Sequence, residues 1–330
     1  MRCKSGSFCL ARANWESKLL VLGWREYLDK MLDGPRPGSE QVLAFYEHRV
    51  GAVCRDPRLM LMPWDDHLVH RGDGVFETMK WVEGRVYLLD EHLARMAKSG
   101  AAIGLEPPCA WAEVRQIVLD VARACETHQG LLRVLLGRGP GGFGIDPAEC
   151  PTPSLYLAAY RYALKSESVF AKGVTAFRTS VPAKQSYLAT IKSIDYLPNV
   201  LMKKEAKAKG KDFPVCFDEK GFLAEGATEN IAMVDKDGCI TVPELGNTLA
   251  GTTMLRALKL CEGEIKHCFR AITEEELYQA RELLILGTTA QCLSIVEYNG
   301  RPVGDGKPGP VSKRLRELIQ KDEAEYGVAL

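Results

Sequence analysis

The chain has 330 residues, of which 46% are hydrophobic and 26% charged, as in an ordinary globular protein long enough for two domains. Its 43 basic and 43 acidic residues give no net charge, which argues against a nucleic-acid surface or a polybasic membrane patch. No apolar run approaches the roughly 18 residues needed to cross a bilayer. The eleven cysteines are scattered and the N-terminus has no continuous apolar core, which predicts a cytoplasmic protein without a disulfide framework or a metal site.

Residues 1–40 are predicted to be an extension, with a short amphipathic helix over 14–31 before a proline–glycine break at 34–38. The N-terminal domain is predicted over 41–165. Alternating residues indicate a strand at 75–82, and a turn at 83–84 leads to a second strand at 85–89. Asp90 is predicted to cap a helix ending near residue 103. The other elements predicted in this domain are a helix at 111–125 and strands at 131–136 and 154–162.

A polar stretch without a strong pattern follows, and residues 166–173 are predicted to connect the domains. The second domain, residues 174–330, is predicted to open with a strand at 174–177. A helix at 196–209 has Pro198 in its first turn and Gly210 at its end. Turn signals at 218–221 and 235–238 predict an antiparallel meander. The other predicted elements are helices at 251–261, 274–281 and 311–325 and a buried strand at 283–286. Mixed helices and antiparallel strands favour an α+β fold.

Residues 137–142 have the spacing Gly-x-Gly-x-x-Gly and follow a predicted strand. A dinucleotide site needs a helix directly after this loop. Pro147 and Pro151 come soon afterwards, so we expect no helix there and no nicotinamide binding. We expect instead a glycine-rich loop near an active site.

Two segments, Gly251-Thr252-Thr253 and Gly287-Thr288-Thr289, could offer hydroxyl and backbone N–H groups to a phosphate. The first begins a predicted helix, where the dipole favours an anion. Taken alone, each is more typical of a helix cap or a turn. Arg95 lies three residues after His92 on a predicted helix, where it is either a phosphate clamp or part of a solvated face.

Lys192 is either one more surface lysine or a buried amine of lowered pKa. Burial is indicated by the flanking apolar residues Ile191, Ile194 and Leu197. A lysine can hold the aldehyde of pyridoxal phosphate as a Schiff base. A carboxylate such as Glu225 can keep the pyridine nitrogen protonated, which makes the ring an electron sink. The two residues together therefore indicate amino-group chemistry.

In combination these segments resemble the class IV aminotransferases, the fold-type IV pyridoxal-phosphate enzymes. The resemblance spans residues 42 to 320 and depends on six segments in the same order as in the family. They are 70–77 (HRGDGVFE), 91–95 (EHLAR), 190–199 (TIKSIDYLPN), 223–230 (LAEGATEN), 251–253 (GTT) and 287–289 (GTT).

The resemblance implies a smaller α/β N-terminal domain, a pseudo-barrel C-terminal domain that binds pyridoxal 5′-phosphate, and a homodimer in which the partner subunit closes each pocket. Lys192 would carry the cofactor and shuttle a proton, and Glu225 would pair with the ring nitrogen. The residues implied to hold the phosphate are Arg95, Thr252, Thr253 and Thr288.

The implied reaction is a ping-pong transamination from a small α-amino acid to a keto acid such as 2-oxoglutarate. The substrate stays open between branched-chain and D-amino acids. Bacterial D-amino acid aminotransferases carry an Arg-x-His carboxylate trap that residues 143–145 lack. Arg138 could bind the carboxylate instead, or form a structural salt bridge, and Thr289 is a second candidate for substrate binding. Residues 137–144 also resemble the loop of aminodeoxychorismate lyases, so elimination of pyruvate to give 4-aminobenzoate is the alternative reaction.

Overall fold

The structure is a computed structural model that describes residues 19–330, which fall into two compact units divided between Pro37 and Gly38. The first unit contains α1 (Trp24–Asp33), a helix that buries none of its residues. The helix predicted over 14–31 therefore begins later than expected, and residues 14–18 lie outside the described residues. It begins at Trp24 because Glu26 accepts a 3.0 Å hydrogen bond from the backbone N–H of Gly23.

The second unit holds the remaining elements, and its first half contains six strands and three helices. In chain order these are β1 (Val42–Glu47), β2 (Ala52–Cys54), α2 (His67–His70), β3 (Gly74–Val82), β4 (Arg85–Val86), α3 (Leu89–Ala102), α4 (Trp111–Ala124), β5 (Gly130–Gly137) and β6 (Ser154–Tyr160).

The second half contains nine strands and six helices. In chain order these are α5 (Glu167–Lys172), β7 (Val174–Arg178), α6 (Ser186–Ala189), α7 (Leu197–Lys209), β8 (Phe213–Val215), β9 (Asn230–Val234), β10 (Ile240–Val242), α8 (Thr252–Leu260), β11 (His267–Phe269), α9 (Glu274–Gln279), β12 (Glu282–Gly287), β13 (Gln291–Tyr298), β14 (Arg301–Pro302), α10 (Pro310–Tyr326) and β15 (Val328–Ala329).

The first sheet is antiparallel, in the order β15-β4-β3-β5-β6-β1-β2. Helices α3 and α4 cover one face, and their apolar residues pack on buried side chains such as Met79 and Leu132. β3 and β5 stay in register from Gly74 opposite Gly137 to Trp81 opposite Gly130. Gly130 leaves room for the indole, because a Cβ there would lie 2.0 Å from the Trp81 ring.

The second sheet follows the order β11-β10-β9-β12-β13-β7-β8, with β14 paired to β13. It is mixed, because β7 runs parallel to both β8 and β13, and β10 runs parallel to β11. One core lies beneath α9, and another lies beneath α8 and α10. The predicted α+β class is confirmed, whereas the predicted domain boundaries at 165 and 174 stay a prediction. No helix within residues 19–330 has the length and apolar character to cross a membrane.

Two local predictions were wrong. The strand predicted at 85–89 pairs only over Arg85–Val86, because Leu88 adopts a left-handed conformation with φ of 54° and α3 begins at Leu89. Asp90 therefore lies in the first helical turn and is not the cap. The segment predicted as a patternless connection contains α5, because Val169 and Phe170 pack against the core of the second sheet.

A buried ion pair ties α10 to the first sheet. Lys80 of β3 donates a 2.5 Å hydrogen bond to Glu323 of α10, and the two side chains are 1% and 6% exposed. Gln291 of β13 donates to both oxygens of the same carboxylate, at 3.1 and 2.9 Å. The Glu323 carboxylate therefore joins the two sheets through one set of hydrogen bonds.

Substituting Lys80 tests this link. Lys80→Met keeps most of the side-chain volume but leaves a buried carboxylate without its cation, so the free energy of unfolding should fall by about 3–5 kcal/mol. Arg123→Met, which breaks an exposed pair with Asp120, is the matched control and should change it by about 1 kcal/mol or less. Urea denaturation measures both, and equal losses would contradict the role given to Lys80.

Candidate active site

Lys192 is held against β3 by its backbone. Its carbonyl accepts from the N–H of Phe76 at 3.0 Å, and its own N–H donates to the hydroxyl of Ser99 at 3.2 Å. Two residues later, the N–H of Ile194 donates to the carbonyl of Gly74 at 2.9 Å. The segment between α6 and α7 therefore lies along the edge of the first sheet, which fixes where the lysine side chain begins.

The amine of Lys192 lies in the wall of a cavity, and the residue is only 9% exposed. Its Nζ lies 3.4 Å from the hydroxyl of Tyr196. Burial and the nearby charge of Arg95 lower the pKa of Lys192 to about 8, although Glu77 and Glu225 oppose the shift. A sizeable fraction of the amine is therefore neutral, and nucleophilic, near physiological pH.

Glu225 is the second buried titratable group of this cavity. Burial raises the pKa of its carboxyl, an effect partly offset by hydrogen bonds from Thr248 and Leu249 and by the charge of Lys192. Both hydrogen bonds reach Oε2, at 3.1 Å from the Thr248 hydroxyl and 3.4 Å from the Leu249 N–H. The other oxygen, Oε1, is left without a partner among residues 19–330. It is available to a protonated nitrogen in the cavity.

Arg95 is oriented by a carboxylate that has no contact with solvent. Its Nε and Nη2 each donate to Glu77 of β3 at 2.7 Å, and Glu77 is 0% exposed. The third nitrogen, Nη1, donates to the carbonyl of Ala250 at 3.1 Å. Burial alone would raise the pKa of Glu77, but His92 and Arg95 outweigh it and lower the value to about 2. The guanidinium is therefore fixed just before the N-terminus of α8.

His92 connects the same carboxylate to α8. Its Nδ1 lies 2.7 Å from Glu77, and its Nε2 lies 3.3 Å from the hydroxyl of Thr252. Burial lowers the pKa of His92, so the ring is neutral near pH 7. Because an ionised carboxylate only accepts, Nδ1 carries the proton and Nε2 accepts from Thr252. The backbone N–H of Thr252, in the first turn of the helix, is positioned to face an anion.

One cavity of about 310 Å³ brings seven predicted residues together: Arg95, Lys192, Glu225, Thr252, Thr253, Thr288 and Thr289. Its volume lies near the lower end of the roughly 300–1,000 Å³ typical of small-molecule sites. It combines an amine of lowered pKa, a carboxylate with an open oxygen and an anion cradle formed by Arg95 and a helix N-terminus. These groups match the aldehyde, the ring nitrogen and the phosphate of pyridoxal 5′-phosphate, which therefore fits the residues present.

Arg138 lies elsewhere, so its predicted role in substrate binding is not supported. Its guanidinium donates twice to Asp73 at 3.0 Å and also to the carbonyls of Ile103 and Gly104 at 2.8 and 2.7 Å. None of residues 137–142 lines the cavity. The structural salt bridge is thus the alternative observed, because these acceptors engage all three nitrogens of Arg138.

Arg133 is a cavity residue that the sequence analysis missed. It lies on β5 opposite Thr78 of β3, and both side chains line the cavity. Its guanidinium carbon lies 5.4 Å from the ring centre of Phe76, and within residues 19–330 it forms no ion pair or hydrogen bond. A single charge inside the apolar run 131–136 was the available signal. Phe76, Tyr196 and Glu229 also line the cavity.

Comparisons with known proteins were made with the whole chain. The sequence model described as amino-transferase class IV matches residues 74–298. A D-amino-acid transaminase of Arabidopsis thaliana, named as chloroplastic, is 34% identical over 292 residues, which cover 86% of this chain and 78% of that protein. A D-alanine aminotransferase of Bacillus licheniformis is 29% identical over 257 residues, which cover 76% of this chain and 87% of that protein.

The structure is also similar to that of a branched-chain amino acid aminotransferase from the organism abbreviated T.th., crystallised with pyridoxamine 5′-phosphate. The TM-score is 0.81 at 26% identity, and the match covers 86% of this chain and 94% of that one. Likeness in sequence and likeness in structure therefore point to the same group of proteins.

The lowered pKa of Lys192 can be tested on cofactor-free protein. Reductive methylation with formaldehyde and cyanoborohydride needs the neutral amine, so the modification rate at Lys192 should rise up to about pH 8 and then level off. An amine with the ordinary value of 10.5 would keep gaining rate up to that pH. Peptide mass spectrometry measures the rate, and the exposed Lys98 is the reference in the same digest. A Lys192 rate still rising at about pH 10 would contradict the assignment.

Proposed function

Because this chain belongs to the class IV aminotransferases, we propose that it moves the amino group of a branched-chain or D-amino acid to a 2-keto acid such as 2-oxoglutarate. The chain is a pyridoxal-phosphate-dependent transaminase of the α+β fold of that family. The observation that carries the finer proposal is the meeting of Lys192, Glu225 and the anion cradle in one cavity.

Pyridoxal 5′-phosphate, when bound, supplies an aldehyde that accepts amino groups and a ring that withdraws electrons. Lys192 would hold the aldehyde carbon, and Oε1 of Glu225 would face the ring nitrogen. The phosphate would be held by Arg95, Thr252, Thr253 and Thr288. With a pKa of about 8, the Lys192 amine can take a proton from the substrate α-carbon and return it.

The proposed substrate side of the cavity lies at Arg133 and Thr289. Arg133 is a cation without a partner among the described residues, so it suits the second carboxylate of glutamate or 2-oxoglutarate. Thr289 follows β12 and was predicted to bind substrate. Arg138 is left out of this proposal because its nitrogens are already bonded.

We also propose that the protein is a homodimer. Exposed apolar side chains cluster on two adjoining loops, with Trp64 82% and Val69 52% exposed on one and Phe143 67% and Ile145 85% exposed on the other. The loops are joined by Arg71, whose Nε donates to the carbonyl of Gly144 at 2.8 Å. An apolar patch of this kind is typical of an interface. The cytoplasmic location stays a prediction, since the Arabidopsis relative is named as chloroplastic.

The activity can be tested with ¹⁵N-labelled amino acids. We expect ¹⁵N from L-leucine or D-alanine to appear in glutamate when 2-oxoglutarate is present, because the proposed reaction exchanges nitrogen between the two. Mass spectrometry follows the label. Release of pyruvate from aminodeoxychorismate without any acceptor, together with no label transfer from any donor, would favour the lyase and overturn the proposal.

Arg133→Gln tests the carboxylate site. Loss of a charged hydrogen bond should raise KM for 2-oxoglutarate by about 10- to 100-fold. KM for a donor with one carboxylate, such as leucine or alanine, should change little and is the internal control. Steady-state kinetics measures both. An equal rise for both kinds of substrate would show that Arg133 acts through the shape of the cavity and not on the second carboxylate.

A further inference from the structure

A second cavity of about 240 Å³ lies on the other side of Thr289 from the active site. Its walls come from the chain that joins the two sheets, residues 162–170, and from β13 and α10. Its volume is below the roughly 300–1,000 Å³ of typical ligand sites, so it would take only a small ligand.

Arg316 of α10 is the central polar residue of this cavity. Its guanidinium lies 3.6 Å from the ring centre of Phe170 and pairs with Glu167, both on α5. Its Nε is buried and has no acceptor within the described part of the chain. A buried donor on a charged group without a partner is costly. An acceptor atom from a ligand would remove that cost.

The other charges of the cavity divide into used and unused groups. The carboxylate of Glu323 is already bonded by Lys80 and Gln291, and that of Glu167 is paired with Arg316. Lys165 and Glu83 form no ion pair between residues 19 and 330, and both line the cavity. The unused groups are therefore one ammonium, one guanidinium N–H and one carboxylate.

We propose that this second cavity is a binding site for a small carboxylate. The carboxylate accepts from Nε of Arg316 and from the ammonium of Lys165, which together match its charge and its two oxygens. Glu83 is placed in the same wall and suits an ammonium group. The ligand is thus either a free amino acid or a simple carboxylic acid, and the two differ only in the use of Glu83.

The site is positioned to influence the active cavity. Thr289 lines both cavities, and the hydroxyl of Tyr162 donates to the Thr289 carbonyl at 3.5 Å. A ligand in the second cavity therefore bears on the turn after β12 that faces the substrate. This role goes beyond the proposed transamination and does not depend on which amino acid is transferred.

Equilibrium dialysis of the holoenzyme with ¹⁴C-propionate and ¹⁴C-alanine tests the proposal. We expect saturable binding that weakens about 10- to 100-fold in Arg316→Gln, as for a lost charged hydrogen bond. Arg314→Gln is the matched control, since Arg314 lies on the same helix but pairs with the exposed Glu264. Lys165→Gln should weaken binding in the same direction and guards against misfolding, because Lys165 is an exposed side chain outside every core cluster.

Binding at the active site is separated by Arg133→Gln, which should leave the Arg316-dependent binding in place. Tighter binding of alanine than of propionate, abolished by Glu83→Gln, would identify an amino acid as the ligand. Equal binding of the two would identify a simple carboxylic acid. Binding of neither compound, or binding unaffected by both Arg316→Gln and Lys165→Gln, would overturn the proposal, whether or not transamination is observed.

Discussion

The buried carboxylate of Glu77 is the contact on which the geometry of the active site depends. It lies on β3 of the first sheet and holds Arg95 by two hydrogen bonds of 2.7 Å and His92 by a third of the same length. Arg95 then reaches the carbonyl of Ala250, and His92 reaches the hydroxyl of Thr252. One anion from the first sheet therefore sets the anion cradle at the start of α8, which belongs to the other half of the chain.

Burial has opposite consequences for Lys192 and Glu225, because it disfavours the charged form of each. The pKa of the amine falls to about 8, and the pKa of the carboxyl rises. Lys80 and Glu323 are also buried, but they bond directly to each other and so neutralise their charges. Lys192 and Glu225 do not pair in this way. Perturbed groups that remain available to a ligand are typical of functional sites.

The sequence predicted elements well where local chemistry sets their ends. Helix α7 begins at Leu197 and ends before Gly210, as Pro198 and that glycine indicated. It failed where distant residues decide. Arg138 was proposed for substrate, but Asp73, 65 positions away, binds its guanidinium. Arg133 became visible as a cavity residue only once β5 was paired with β3, and α5 depends on packing that no local pattern reveals.

The visible absorption spectrum of the holoenzyme, followed as a single amino acid is added without a keto acid, tests the central claim most directly. The account predicts complete conversion of the bound cofactor to its pyridoxamine form, in the native chain and in Lys98→Ala alike. It predicts no conversion at a comparable rate in Lys192→Ala, because the amine that moves the α-carbon proton is missing. Conversion of Lys192→Ala at the native rate, or no conversion of the native protein by any L- or D-amino acid, would contradict it.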